Sequence, residues 1–218
     1  MKKNKLLIGA ALAASLLTLS FGIQSCSPGG DATAQAPQAP SFEVDPFWPK
    51  PLGNEWILGN VIGVAIDERD HIFIVHRASG EGIFGSRTEI GLQTGVSICC
   101  TPAPPIIEFD PDGNVVNAWG GPVEGAPYTW PSSNHGIEID HHGNVWIGGN
   151  GQGDSHILKF TRDGTFLEQL GTPGIIESDS NDTTRFSRVA EVAVVPESNE
   201  AFVSDGYGNR RIAVLDAT

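Results

Sequence analysis

One short hairpin pattern occurs three times along the chain, and it limits the fold more than any other feature of the sequence. Each copy joins a run of β-branched and small residues, a polar turn and a second apolar run; the copies span residues 63–75, 136–147 and 191–203. Runs of this length and composition on both sides of a turn are typical of β-strands, because helices need longer periodic segments. The sequence therefore predicts three hairpins of one design.

A second kind of hairpin follows the first two copies. Residues 106–116 and 157–167 each place an Asp-Gly pair between two apolar runs. Glycine supplies the positive φ that a tight hairpin turn needs at no steric cost. One hairpin of each kind gives four consecutive antiparallel strands, which is one blade of a β-propeller. We therefore predict an all-β propeller domain over residues 41–218, with no helix.

The repeats account for about three blades. Insertions enlarge the first unit, chiefly between residues 78 and 103, and residues 211–218 begin a further outer hairpin. An open propeller is unfavourable, because an unpaired strand edge exposes backbone N–H and C=O groups. Either the natural chain is longer or the protein closes its sheets by association, and we favour the longer chain.

The charge balance excludes one class of partner. The chain carries 13 Lys and Arg against 26 Asp and Glu, a formal net charge of −13. Affinity for nucleic acid depends on cationic side chains that displace counterions, and the cations here are scattered. We expect a small-molecule or peptide-like substrate, or a protein ligand, and no nucleic acid.

The N-terminus has the pattern of an export signal. Three lysines within the first five residues precede a nearly uncharged run over residues 6–23, which is the order of a signal peptide. The following Ile23-Gln24-Ser25-Cys26 resembles a bacterial lipobox. We predict a lipoprotein-type signal peptide over residues 1–25, acylation of Cys26, and a flexible tether over residues 26–40 rich in Ala, Pro, Gly and Gln.

This prediction implies an exported bacterial lipoprotein on the periplasmic or cell-surface side, which contacts the membrane through its lipid anchor only. Ordinary cleavage or an uncleaved anchor are the alternatives. If Cys26 is acylated, Cys99 and Cys100 are the remaining cysteines. Thiols usually pair in an oxidising compartment, so we predict a vicinal Cys99–Cys100 disulfide, against two free thiols or an intermolecular pair.

Three segments together resemble one known family. They are Gly63-Val64-Ala65-Ile66-Asp67 with the downstream pair His76-Arg77, then His135-Gly136-Ile137-Glu138-Ile139-Asp140, and then Val203-Ser204-Asp205-Gly206-Tyr207-Gly208-Asn209-Arg210-Arg211-Ile212. These residues resemble NHL-type six-bladed propellers, and specifically peptidyl-α-hydroxyglycine α-amidating lyases and their bacterial relatives. The resemblance covers about residues 42–216.

That family cleaves a carbinolamide into an amide and glyoxylate, with zinc and calcium as cofactors. The resemblance implies that His135 is a zinc ligand, Tyr207 the catalytic tyrosine that takes the substrate hydroxyl proton, and Arg77 the arginine that steadies the developing charge. It also implies that the backbone carbonyls of Val64 and Ile137 bind a structural calcium ion.

The sequence also departs from the family. The family's other two zinc histidines, its second active-site arginine and its calcium-binding aspartate belong to later blades than those in this sequence. Ser187 and Gly208 stand where the resemblance implies cysteines. One imidazole cannot hold a catalytic zinc ion, which needs three protein ligands, so we expect the chain as given to be an incomplete lyase.

Each assignment has a simpler alternative. His135 could be bonded to a neighbouring carbonyl, Tyr207 could be a packing aromatic, and Arg77 could pair with one of the many acids. At the level of function, the alternative is a non-catalytic exported propeller that binds a ligand or protein partner. A lactonase-like propeller hydrolase, which would use calcium and acidic residues in place of Tyr207, is a weaker alternative.

Overall fold

The computed structural model describes residues 39–78, 100–177 and 179–218. The chain divides into two compact units, Met1–Val44 and Asp45–Thr218, and the described part of the first unit, residues 39–44, has no regular secondary structure. The predicted signal peptide, Cys26, residues 26–38 of the tether and Cys99 lie outside the described residues. Cys100 is disulfide-bonded, and the vicinal pairing stays a prediction.

The second unit is built from β-strands, and no helix occurs in the described ranges. The strands are β1 (Trp56–Ile57), β2 (Val61–Ile66), β3 (Ile72–His76), β4 (Thr101–Pro102), β5 (Ile106–Phe109), β6 (Val115–Trp119), β7 (Asn134–Ile139), β8 (Val145–Gly149), β9 (His156–Phe160), β10 (Phe166–Gly171), β11 (Glu191–Val195), β12 (Glu200–Asp205) and β13 (Arg211–Asp216).

The strands form three antiparallel sheets in which neighbouring strands follow one another along the chain, except that β4 lies between β3 and β5 in sequence. The first sheet has the order β2-β3-β5-β6, the second β7-β8-β9-β10 and the third β11-β12-β13. The short strands β1 and β4 pair in parallel beside them. Each predicted inner hairpin and each predicted outer hairpin is therefore present, in the strand order of a propeller blade.

The sheets pack face to face, as blades do. The innermost strand β2 contacts β7, and β7 contacts β11. Glycines permit this approach: a Cβ atom at Gly63 would lie 3.0 Å from the His135 carbonyl oxygen, and one at Gly136 would lie 2.6 Å from the Ala190 carbonyl oxygen. The same glycine contact thus recurs at both blade boundaries, and the predicted all-β propeller architecture is confirmed.

Two apolar clusters fill the space between the sheets. Between the first and second sheets, buried Phe73 and Ile106 belong to one cluster with Ile147 and Phe160. Between the second and third sheets, the second cluster includes Trp146, which is 1% exposed. Burial of this apolar surface is the main favourable term that holds blade against blade.

A charged cluster also joins the first two sheets. The guanidinium of Arg162, just after β9, bonds the carboxylates of Asp67 and Glu108 and lies 4.8 Å from the centre of the Phe73 ring. Burial of Asp67 opposes ionisation, but hydrogen bonds from Arg162 and from the backbone N–H groups of His71 and Arg69 outweigh it and lower its pKa from 3.8 to about 2.

The segment that precedes β2 covers the outer face of the first sheet. Trp48, Leu52, Trp56 and Leu58 pack on a cluster that contains Ile107. The backbone N–H of Lys50 donates to the Gly113 carbonyl at 3.0 Å, which fixes this segment on the turn between β5 and β6. Within the described ranges, no helix has the length and apolar character needed to cross a membrane.

Candidate functional site

Three of the residues singled out from the sequence meet at one end of the inner strands. Arg77 directly follows β3, His135 is the second residue of β7, and Tyr207 lies two residues after β12. Because β7 begins at the same end of the sheets at which the antiparallel β3 and β12 end, the fold gathers all three side chains there. His135 also sits where the β7 to β8 ladder changes register, between Asn134 and Ile137. Such bulges re-aim side chains.

His135 is held on both ring nitrogens. Its Nδ1 lies 2.8 Å from the carbonyl oxygen of Ala190, and its Nε2 lies 3.0 Å from the hydroxyl oxygen of Tyr207. A carbonyl oxygen only accepts, so Nδ1 carries the proton of the neutral ring. Nε2 is then the acceptor, and the Tyr207 hydroxyl donates to it. The two rings meet edge to face with centroids 5.3 Å apart.

The hydrogen bonds of His135 are compatible with both roles considered from the sequence, a bond to a neighbouring carbonyl and metal binding. His135 is bonded to a neighbouring carbonyl, and it also has the arrangement of metal-binding histidines, which commonly donate their second ring N–H to a carbonyl or carboxylate. Nε2 has one lone pair. A metal ion at Nε2 and the hydrogen bond from Tyr207 are therefore mutually exclusive.

Arg77 lies on the first-blade side of this pair. Its Nε donates to the Asn134 carbonyl at 3.3 Å, and its Nη2 donates to Oδ1 of Asn150 at 3.2 Å. Burial lowers the pKa of Arg77, and electrostatic interaction with Tyr207 opposes that shift. Arg77 and Tyr207 therefore interact electrostatically.

The buried carboxylate of Asp205, two residues before Tyr207, anchors the loop that contains Tyr207. Asp205, with no exposed surface, accepts hydrogen bonds from the Ser187 backbone N–H at 2.7 Å, Nδ2 of Asn209 at 2.8 Å and Nε of Arg211 at 3.0 Å. A carboxylate with three donors at this burial resists displacement. The turn after β12 is therefore rigid at its base and presents Tyr207 at its tip, where the side chain is 48% exposed.

Ser187 and Gly208, the positions where the resemblance implies cysteines, lie against each other. The Gly208 backbone N–H donates to the Ser187 carbonyl at 2.9 Å, and a Cβ atom at Gly208 would lie 2.3 Å from the Ser187 Cβ. The two positions that depart from the family pattern are therefore in direct contact. Their backbone hydrogen bond joins the loop that contains Tyr207 to the segment before β11.

Arg188 belongs to the site and was missed by sequence reasoning. Its Nη2 donates to the Tyr207 carbonyl oxygen at 2.7 Å, and its backbone N–H donates to the Asp154 carbonyl at 3.0 Å. Its φ of 61° is the left-handed conformation that side-chain-bearing residues seldom adopt. No motif marks this residue, because its place depends on a contact with a loop that follows 19 residues later.

The metal-binding residues implied by the resemblance do not form a complete site within the described residues. No group of three or more His, Cys, Asp or Glu that could hold a metal ion occurs among them, so His135 alone does not make a zinc site. Val64 and Ile137 occupy equivalent positions in the neighbouring strands β2 and β7, opposite Ile74 and Ile147 of the adjoining strands. Two carbonyls are the right ligand type for calcium but fall short of its six to eight ligands.

Solved structures with a related architecture share little sequence with the chain. A chain of a nidogen/laminin complex is 16% identical, with a TM-score of 0.40, over 73% of this chain and 62% of that chain. Virginiamycin B lyase from Staphylococcus aureus is 12% identical, with a TM-score of 0.34, over 76% of this chain and 57% of that chain.

No protein-family model matches the chain. A probable peptidyl-α-hydroxyglycine α-amidating lyase of Caenorhabditis elegans is 27% identical over 73% of this chain and 42% of its own length. Peptidyl-glycine α-amidating monooxygenase B of Xenopus laevis is 29% identical over 78% of this chain and 18% of its own length. The chain thus spans less than half the length of these curated relatives. It shows distant homology to peptidyl-α-hydroxyglycine α-amidating enzymes.

Proposed function

We propose that this propeller takes part in a carbinolamide lyase reaction of the amidating type, releasing an amide and glyoxylate. The observation that carries the proposal is the 3.0 Å contact between the Tyr207 hydroxyl and Nε2 of His135, with Arg77 in electrostatic reach of Tyr207. The names of the distant relatives support this reaction class. The contact places the Tyr207 hydroxyl, which we propose as the proton acceptor once it is ionised, beside the His135 imidazole.

Tyr207 acts as the proton acceptor for the carbinol hydroxyl of the substrate. Loss of that proton lets the carbon–oxygen bond become a carbonyl while the carbon–nitrogen bond breaks, and the departing amide nitrogen takes up a proton. A tyrosine has an ordinary pKa of about 10, so it must first lose its own proton. Arg77 favours the phenolate by its positive charge.

We propose His135 as one ligand of a zinc ion whose remaining ligands come from outside the described residues, and the Val64 and Ile137 carbonyls as partial ligands of calcium. Zinc lowers the pKa of bound groups when present. In the described structure Nε2 accepts from Tyr207, so zinc binding requires Tyr207 to release this nitrogen, which would free the hydroxyl to face a substrate.

The test is glyoxylate release from α-hydroxyhippurate by the native full-length protein with zinc supplied. Tyr207→Phe is expected to lower the rate by about 10²–10⁴-fold, the usual contribution of a positioned acid or base. Tyr128→Phe is the matched control, because Tyr128 is the other tyrosine of the chain and packs edge-on against Phe160. Equal rates for wild type and Tyr207→Phe would remove Tyr207 from the mechanism.

Ligand binding without turnover is the second candidate. The observation that favours it is that both ring nitrogens of His135 are already hydrogen-bonded, to Ala190 and to Tyr207. On this alternative the full-length protein binds α-hydroxyhippurate, releases no glyoxylate above the buffer rate, and contains no stoichiometric zinc.

A further inference from the structure

The short segment before β11 holds both members of the Tyr207–His135 pair. The Ser187 carbonyl accepts from the Gly208 backbone N–H at 2.9 Å, next to Tyr207, and the Ala190 carbonyl accepts from Nδ1 of His135 at 2.8 Å. Arg188 lies between these two contacts. The four residues from Ser187 to Ala190 therefore hold Tyr207 and His135 in position and also carry the Arg188 side chain.

The backbone of Arg188 is strained, and the strain is supported locally. A non-glycine residue with a φ of 61° pays a conformational cost, and such residues persist where surrounding contacts fix them, often at functional sites. The backbone N–H bond to Asp154 and the side-chain bond to Tyr207 fix this one. The Arg188 guanidinium is therefore held next to the backbone carbonyl of Tyr207.

Most N–H groups of the Arg188 guanidinium form no hydrogen bond within the described part of the chain. Arginine has five N–H donors, and the hydrogen bond to the Tyr207 carbonyl uses one of them. Four other arginines of the described ranges have carboxylate partners, namely Arg69, Arg162, Arg185 and Arg211. Arg188 forms no ion pair with any carboxylate in the same ranges, although acids outnumber bases two to one in this chain.

A small cavity adjoins this residue. Its volume is about 210 Å³, and its lining includes Gln152, Ser155, Ser187 and Arg188. The lining thus combines hydroxyl and amide groups with one cationic residue, and it also includes Ile175 and Ile176. In a protein with a net charge of −13, the overall field repels anions, so an anionic ligand needs a local cation that no protein acid neutralises.

We propose that Arg188 recognises the carboxylate of an anionic substrate at the Tyr207 site, with its free N–H groups as donors. This assignment rests on the proposed function for the identity of the substrate, an N-acylated α-hydroxyglycine. Arginine suits the role because its planar fork binds a carboxylate through two parallel hydrogen bonds. The carboxylate lies on the Arg188 side and the carbinol hydroxyl faces Tyr207.

The test measures binding by calorimetry with two probes that differ only in charge, hippurate and its neutral amide, hippuramide. The wild-type protein is expected to bind hippurate at least about tenfold more tightly, the effect of a charge-assisted hydrogen bond. Arg188→Gln is expected to lose this preference, and Arg188→Lys to keep part of it because it keeps the charge.

Arg210→Gln is the matched control. Arg210 lies three residues after Tyr207, has a positive φ of 56° as Arg188 has one of 61°, and is exposed, so its loss changes the net charge of the protein by the same amount. It is expected to leave the hippurate preference unchanged. Circular dichroism of each variant checks that the sheets are intact, and Arg188→Lys carries the test if Arg188→Gln is unfolded.

The outcomes separate this proposal from the lyase proposal. If Arg188→Gln abolishes the hippurate preference while the wild type releases no glyoxylate, Arg188 is the carboxylate-binding residue and the lyase proposal fails. If the wild type shows no preference for hippurate, or if Arg188→Gln retains it in full, the assignment of Arg188 is overturned whatever the turnover.

Discussion

The hydroxyl oxygen of Tyr207 lies 3.0 Å from Nε2 of His135, although 72 positions separate the two residues in the chain. They meet because His135 is at the start of β7 in the second sheet and Tyr207 follows β12 in the third. Packing of adjacent innermost strands brings these two strand ends together. The contact joins two blades and places a proton donor on an imidazole whose other nitrogen is already bonded to Ala190.

The first prediction concerns the protonation pattern of this imidazole. Nδ1 of His135 should carry the ring proton and Nε2 should be unprotonated in the neutral ring, because the Ala190 carbonyl can only accept. Two-bond proton–nitrogen correlation NMR checks this assignment. Tyr207→Phe should leave the tautomer unchanged but shift the Nε2 resonance, whereas Tyr128→Phe should shift neither nitrogen. A proton found on Nε2 would contradict the geometry.

The second prediction compares the two glycines that flank Tyr207. A Cβ atom at Gly208 would lie 1.9 Å from Oγ and 2.6 Å from the backbone oxygen of Ser187, while one at Gly206 would meet nothing within 4 Å. Gly208→Ala should lower the free energy of unfolding by about 1–3 kcal/mol, the usual effect of overpacking. Gly206→Ala should change it by less than about 0.5 kcal/mol. Urea denaturation measures both, and equal effects would show that Gly208 has more room than the structure gives it.

The third prediction concerns stability between neutral and weakly acidic pH. His76 has no exposed surface, and its burial lowers its pKa below 6.5, partly opposed by its hydrogen bond to the Pro104 carbonyl. The unfolded chain therefore binds more protons, so the stabilisation is fully present above pH 6.5 and is lost as the pH falls towards the lower folded pKa.

Urea denaturation from pH 7.5 to pH 5 should show this loss in the wild type and a smaller slope in His76→Gln. Some slope should remain, because burial also lowers the pKa of His156. Parallel curves for wild type and His76→Gln would show that His76 does not contribute to the pH dependence.

The fourth prediction concerns Asp67 at the boundary of the first two blades. With a pKa lowered from 3.8 to about 2, its ionised form stabilises the fold above about pH 4, and this stabilisation is lost as the pH falls through about 2. Arg162→Gln removes one cause of the shift, so the Asp67 carboxyl resonance should titrate nearer 3.8. Carbon-detected NMR follows that resonance, and an unchanged midpoint would show that Arg162 does not set it.

The blade pattern could be predicted from the sequence because its causes are local. Alternation of β-branched residues specifies strands, and the turns carry their own chemistry: Gly113 and Gly143 adopt φ of 81° and 80°, and Asp110 and Asp140 each accept from the backbone N–H four residues later at 2.8 Å. Side chains that bond their own turn fix the hairpin without help from distant residues.

The site could be predicted only in part. Motif positions pointed to Arg77, His135 and Tyr207, but no spacing rule shows that Tyr207 donates to His135 or that Arg77 bonds Asn150 of the second blade. Arg188 had no sequence signal at all. Its relevance depends on a φ of 61° and on the Tyr207 carbonyl, and neither can be read from neighbouring residues.

The strands, their pairing into hairpins and the all-β class can be predicted from the amino-acid sequence, because these follow from short-range periodicity and turn chemistry. Which strand ends lie side by side follows from the packing of the blades, since it depends on how close the innermost strands approach. Gly63 and Gly136 permit the approach by leaving room for the carbonyls of His135 and Ala190. His135 itself carries the imidazole, and the Ala190 carbonyl accepts the hydrogen bond from its Nδ1. The close approach of the blades at these two carbonyls therefore also sets the geometry of the site.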